Sequence, residues 1–208
     1  MGLWRVLKGE EPNFFEKLAF KLSNWNDKGA YGEFITSYAI DNVNDYHRVI
    51  KNLYIPYKNK TSEIDIVLVT TKGFYVIENK NYSGWVFGNE KYKNWYQTFP
   101  NGEKYTFYNP IWQNRTHIRA LSQFLTADIN LFHSYIVFSG ENFKGKIQYE
   151  SDDFVVATHE NILQLLNYDI SRRHSIFTTT AVDNISMRLY NCSNVSDSIK
   201  KQHISNCR

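Results

Sequence analysis

The chain has 208 residues and a formal net charge of +3, with 42% hydrophobic and 22% charged residues. That length suffices for one α/β domain with a substantial core, and the composition excludes a disordered chain. The charge balance excludes a uniformly basic nucleic-acid binder, so any polyanion contact must come from local patches, and no stretch approaches the ~18 apolar residues needed to span a bilayer.

The opening segment MGLWRVLKGEEPNF has no apolar run followed by a small-residue cleavage site, so no secretory signal is expected. Met1-Gly2 would suit myristoylation, but position 6 is Val6 rather than Ser or Thr. Residues 12–23 have a helical pattern, with Pro12 suited to a first turn. Gly29 then breaks the chain. Residues 31–43 place Phe34, Ile35, Tyr38 and Ala39 at amphipathic helix spacing. Residues 47–55 read as a first strand, stopped by Pro56. A basic turn, YKNKT, leads to the strand IDIVLV. The turn TTKG leads to the strand FYVIENK.

Residues 84–108 suggest two or three short strands rich in Gly, Trp and Tyr. Asn109-Pro110 opens a helix whose buried stripe is Ile111, Ile118, Leu121 and Leu125. Residues 134–140 and 153–158 read as strands, 159–168 as a short helix, and 172–191 as helical. Residues 193–208 are polar and expected to fray. No repeat is visible, so a single domain over 1–192 is expected, with its core at 29–140. The two cysteines, Cys192 and Cys207, cannot form a structural zinc site alone. Free cytoplasmic thiols are the simpler expectation.

Three charges sit where strands should be apolar. Asp65 lies inside Ile64–Val69, and Glu78 and Lys80 close the run that begins at Phe74. Side chains alternate along a strand, so Glu78 and Lys80 share one face, roughly 6–7 Å apart. Asp65 joins them if the hairpin register allows. Two carboxylates beside an ammonium suit phosphodiester hydrolysis. One or two Mg²⁺ or Mn²⁺ ions would be held by Asp65, Glu78 and the main-chain carbonyl of Asn79, with Lys80 orienting the water or stabilising charge. A lone E-x-K triplet is weak evidence, and its plain alternative is a surface ion pair on a hairpin. Asp65 speaks against that alternative, because burying an unpaired aspartate in a strand is costly.

By spacing alone, Glu33 is an ordinary first-turn glutamate. Gln113 and His117 lie four apart on the later helix, and Arg115 and Arg119 form a second such pair. Spacing alone makes all four solvated. The other histidines (His47, His133, His159, His174, His203) show no metal-ligand spacing, and no phosphate-binding glycine loop or nucleophile elbow occurs. The insertion carries Trp85, Phe87, Tyr92, Trp95, Tyr96, Phe99, Tyr105, Phe107 and Tyr108, with Lys91, Lys93 and Lys104 between them. These aromatics either form a small core or make a stacking surface for nucleic acid. The core reading is the more economical.

Taken together, GEFITSYAI, SEIDIVLVTTKGFYVIENKNYSGWVFG and NPIWQNRTHIRAL resemble the nuclease-related domain family of the PD-(D/E)xK restriction-endonuclease-like superfamily. The resemblance covers roughly residues 29–126. It implies an αβββαβ core, a mixed central sheet flanked by helices, and metal-dependent phosphodiesterase activity. Residue by residue, it matches Glu33 to the helical glutamate, Asp65 to the central acidic residue, Glu78 and Lys80 to the E-x-K pair, and Gln113 to the helical glutamine. Glu33 would complete the acidic cluster directly or through water. Lys60, Lys91, Lys93, Arg115, His117 and Arg119 are the candidate nucleic-acid contacts. Members often sit beside kinase, helicase or zinc-ribbon modules, and none is visible here. The leading expectation is a cytoplasmic nuclease acting on DNA. RNA as substrate, a catalytically silent binding module, and a homodimer all stay open.

Overall fold

The computed structural model describes residues 28–193, and the side chains of residues 32–193. The helix expected at 12–23 and the polar tail from 194 onward lie outside the described residues.

The first helix, α1, runs Lys28–Ile40. It passes through Gly29 instead of breaking there, and it ends before residues 41–43. Gly32 has a packing reason to be glycine: a Cβ there would meet Ser139 Oγ at 2.2 Å and Asn79 Nδ2 at 2.9 Å. The helix therefore lies backbone-close against the sheet, and Thr36 Oγ1 donates to Asn79 Oδ1 at 2.8 Å in the contact.

Three antiparallel strands follow: β1 (His47–Tyr57), β2 (Lys60–Thr70) and β3 (Gly73–Lys80). Pro56 does not stop β1. That strand is the sheet edge, so the missing Pro N–H removes no ladder bond. The insertion forms β4 (Trp85–Asn89), β5 (Asn94–Thr98) and β6 (Lys104–Tyr108). Helix α2 (Pro110–Leu125) then crosses to β7 (Phe132–Phe138), which pairs parallel to β3. Asn109 caps α2 and ties its start to the insertion. Its Oδ1 accepts from the Ile111 N–H at 2.9 Å, and its Nδ2 donates to the Tyr92 carbonyl at 2.8 Å. Strand β8 (Lys144–Gln148) was not expected; its polar sequence pairs parallel to β4. Strand β9 (Phe154–Thr158), helix α3 (Ile162–Ser171) and helix α4 (Thr179–Ser193) complete the described chain.

The result is a mixed α/β architecture with two mixed sheets. The larger has the order β1-β2-β3-β7-β9, and the smaller β6-β5-β4-β8. Around the larger sheet the chain order is α1-β1-β2-β3-α2-β7, which is the expected αβββαβ order. Helices α2 and α4 cover one face with Val67, Val69, Val76, Leu121 and Leu189. Helices α1 and α3 cover the other with Ile40, Ile66, Ile77, Val137 and Leu166. Among the described residues no helix is long and apolar enough to cross a membrane.

Candidate active site

The site grows from a fork between β2 and β3. Their ladder runs from Thr70↔Gly73 to Ile66↔Ile77 and stops. The next pair in that register would be Asp65 opposite Glu78. Beyond it β2 follows only β1, and β3 follows β7. A second irregularity coincides with the first. Ile64 and Val67 both belong to the core under α2 although strict alternation would separate them, and so do Ile50 and Leu53. Both strands slip phase at one level. Asn52, opposite Asp65, takes a left-handed φ of 53° there.

At the fork the Asp65 carboxyl turns to the open edge of β3. Its Oδ2 accepts from the Asn79 N–H at 2.8 Å. In an extended strand both main-chain groups of one residue point to the same side. The Asn79 carbonyl therefore faces the gap beside Asp65. Glu78 is 1% exposed. Its Oε1 lies 2.5 Å from Lys80 Nζ and its Oε2 lies 3.0 Å from His117 Nε2. The first is an ion pair and the second a close N···O approach, and neither is a well-aligned hydrogen bond. Lys80 Nζ also donates to Gln113 Oε1 at 3.2 Å.

The electrostatics follow from burial. Burial pushes the Asp65 carboxyl well above the usual carboxylate range, and the neighbouring Glu78 and Glu33 charges push it further. Glu78 goes the other way: burial opposes its charge, but Lys80 and His117 outweigh burial and hold it low. Burial alone would depress Lys80, yet Glu78 and Asp65 raise it overall, so it stays an ammonium. Two adjacent carboxylates that repel each other in a buried fork, with a main-chain oxygen beside them, are a donor set suited to a hard divalent cation. Glu33 reaches this field from α1. Among the described residues no three Asp, Glu, His or Cys side chains gather closely enough for a three-ligand centre.

The fold brings Asp65, Glu78, Lys80 and Gln113 together, with Glu33 within electrostatic reach. Of the expected nucleic-acid contacts, His117 reaches the fork, against Glu78, but in another role. His117 requires correction: it is 5% exposed, bonded through Nδ1 to Ser62 Oγ at 2.7 Å and facing Glu78, so it is no surface contact. Arg115 forks onto Asp153 at 2.8 and 2.9 Å, two strands away from the fork. Arg115 and Arg119 line a separate cleft of about 650 Å³ that also holds Asp152, Asp153 and Asp169. Lys91 is exposed and pairs with Glu150 at 2.9 Å. Lys60 lies at the tip of the first hairpin, and Lys93 is exposed before β5.

Spacing alone did not show Ser62, His117 or Asn114 as parts of the site's frame. Asn114 Nδ2 donates to the Val76 carbonyl at 2.8 Å and to Ser134 Oγ at 2.9 Å, pinning α2 across β3 and β7. The available signal was the four-residue step from Gln113 to His117, which put both on one side of α2. It could not say that this side met the sheet.

The family model of the nuclease-related domain matches residues 28–139, more than half of the chain. The chain belongs to the nuclease-related domain family. The matched span contains every residue of the fork. An uncharacterised protein of Bacillus anthracis is 41% identical over 61 residues, a stretch making up 29% of this chain and 28% of that protein. The match therefore spans little more than a quarter of that relative's length. No solved structure matches the chain.

Proposed function

We propose that this member of the family is a metal-dependent nuclease that hydrolyses phosphodiester bonds in DNA. One observation carries the reading: Asp65, Glu78, Lys80 and Gln113, far apart in sequence, converge where β2 parts from β3. The αβββαβ order, expected of restriction-endonuclease-like enzymes, supports it.

Asp65, Glu78 and the Asn79 carbonyl would hold Mg²⁺ or Mn²⁺, with Glu33 acting through water. When bound, the ion supplies charge neutralisation at phosphorus and a more acidic water. Glu78 and Asp65 favour the charged form of Lys80, which would serve as a donor that orients the attacking water or a phosphate oxygen. Gln113 holds that ammonium through its oxygen, which leaves the amide N–H groups available to phosphate. His117 fixes the orientation of Glu78. The setting proposed for this chemistry is the cytoplasm.

A second reading is a catalytically silent nucleic-acid-binding module. It is favoured by one feature: Glu78 is engaged on both oxygens by cationic or N–H groups. The test is cleavage of supercoiled, linear and single-stranded DNA and of RNA by the purified chain, with Mg²⁺, Mn²⁺ or EDTA. Metal-dependent DNA cleavage is expected. Cleavage of RNA alone would move the substrate. No cleavage, with Mn²⁺ binding absent by calorimetry, would leave the binding module.

A further inference from the structure

We infer that the outer face of the small sheet binds single-stranded DNA by base stacking. The inference rests on the nuclease reading for the identity of the polymer. The sheet β6-β5-β4-β8 has two unlike faces. Its inner face carries Val86, Trp95 and Ile147 and packs on Ile111 and Phe138. Gly88 completes that side, since a Cβ there would meet the Trp95 ring at 2.3 Å. Trp95 and Val86 are fully buried, so this half of the insertion's aromatics has a structural duty already.

The outer face does not. Pairing places Trp85 beside Lys144 and Thr98, Phe87 beside Lys146 and Tyr96, and Tyr96 beside Thr106. Trp85, Phe87 and Tyr96 form a continuous row. Trp85 and Phe87 lie 6.3 Å apart at 22°, and Phe87 and Tyr96 lie 5.2 Å apart at 15°. Trp85 is 37% exposed. Lysines flank the row on both sides: Lys104 Nζ sits 3.8 Å from the centre of the Tyr96 ring, and Lys146 Nζ sits 4.9 Å from that of Trp85. Lys144 Nζ lies 5.2 Å from the Trp85 ring. None of the outward positions on the four strands is Asp or Glu.

A flat aromatic row whose charged neighbours on the four strands are all cations matches a polymer that alternates π-faces with anions. A single strand offers both. Its bases can replace the ammonium groups over the rings while its phosphates take those ammonium groups, so no charge is left without a partner. A duplex keeps its bases stacked inside and offers only the phosphates. An acidic peptide offers anions but no π-faces. The row is also close to the fork. Trp85 lies five positions after Lys80, which bounds their Cα separation at roughly 17–18 Å. At about 3.4 Å per nucleotide, a strand engaged at the fork reaches the row within about five nucleotides.

The test is fluorescence anisotropy in EDTA with a labelled deoxythymidine oligonucleotide, the matching duplex, an RNA of the same sequence and polyglutamate. The deoxythymidine strand should bind more tightly than the duplex and quench tryptophan emission. Trp85→Ala and Phe87→Ala should each weaken it by about tenfold. Lys104, Lys144 and Lys146 together predict a salt slope near two, and Lys146→Gln should reduce it by about 0.7. Lys146 is exposed, so that variant keeps the core intact. Equal binding of duplex or polyglutamate, retention of RNA alone, or undiminished binding by both Trp85→Ala and Lys146→Gln would overturn the inference. Strand binding in EDTA without cleavage in Mn²⁺ removes the nuclease reading and keeps this face. Cleavage with no strand bound in EDTA does the reverse.

Discussion

Lys80 Nζ meets Glu78 Oε1 at 2.5 Å, two positions along a strand whose other residues on that face, Phe74 and Val76, are buried and apolar. The pair is held in a setting that would reject either charge alone. Glu78 is 1% exposed and the Lys80 side chain 18%. The strand thus carries an ion pair whose two halves depend on each other for stability as well as for chemistry.

Lys80→Met tests that dependence. The apolar stem is kept and the ammonium is removed, so Glu78 is left with His117 alone. Breaking a fully buried pair costs about 3–5 kcal/mol, and the partial exposure of Lys80 puts the expected loss near about 2 kcal/mol. Metal-dependent cleavage should fall at least ~10²-fold. Urea melts and cleavage rates check both. A folded variant that cuts DNA at the parental rate ends the assignment of Lys80.

Asp65→Asn separates metal binding from folding. The amide oxygen can still accept from the Asn79 N–H, so the link between β2 and β3 survives. The charge that repels Glu78 is gone. The variant should melt at or above the parental temperature and show no Mn²⁺ heat by calorimetry. Undisturbed Mn²⁺ binding would mean that the ion, if any, sits elsewhere.

His117 should behave as a positioning residue. His117→Ala strands both Ser62 Oγ and Glu78 Oε2 in a buried region, at a cost of about 1–3 kcal/mol. The expected kinetic signature is a lower kcat with KM for DNA nearly unchanged, and partial rescue by His117→Gln. A flatter salt dependence of DNA binding with kcat intact would instead make His117 a phosphate contact.

The sequence made some of this legible and hid the rest for physical reasons. Asp65, Glu78 and Lys80 stood out because a charge in an apolar strand is costly and asks for a partner. The capped start of α2 was equally plain in Asn109-Pro110. The phase slip at Asn52 and Asp65 was not, because it exists only once β1 and β2 are paired. Strand β8 was hidden because KGKIQ has no apolar alternation and becomes a strand through its pairing with β4. Arg115 looked free to meet phosphate because its partner, Asp153, lies 38 residues away. Gly29 looked like a breaker because the docking of α1 on Asn79 and Ser139, made at Gly32, is tertiary.

His133 provides a pH test remote from the fork. Its ring centre lies 4.9 Å from that of Tyr75. Burial, and then the charge of Arg173, pull its pKa from the ordinary 6.5 to about 4, with Asp169 opposing. Between those values the unfolded chain binds a proton that the folded chain refuses. Stability contributed by neutral His133 is therefore present above pH 6.5 and is lost as the pH falls toward 4. The full span would be worth about 3 kcal/mol, and partial exposure of the ring reduces the expectation to about 2 kcal/mol. Urea melts at pH 7 and pH 4.5 should show this loss in the parent but not in His133→Gln, which cannot protonate. Parallel losses in both proteins would show that the imidazole titrates alike in the folded and unfolded chains, and that the acid sensitivity comes from other groups.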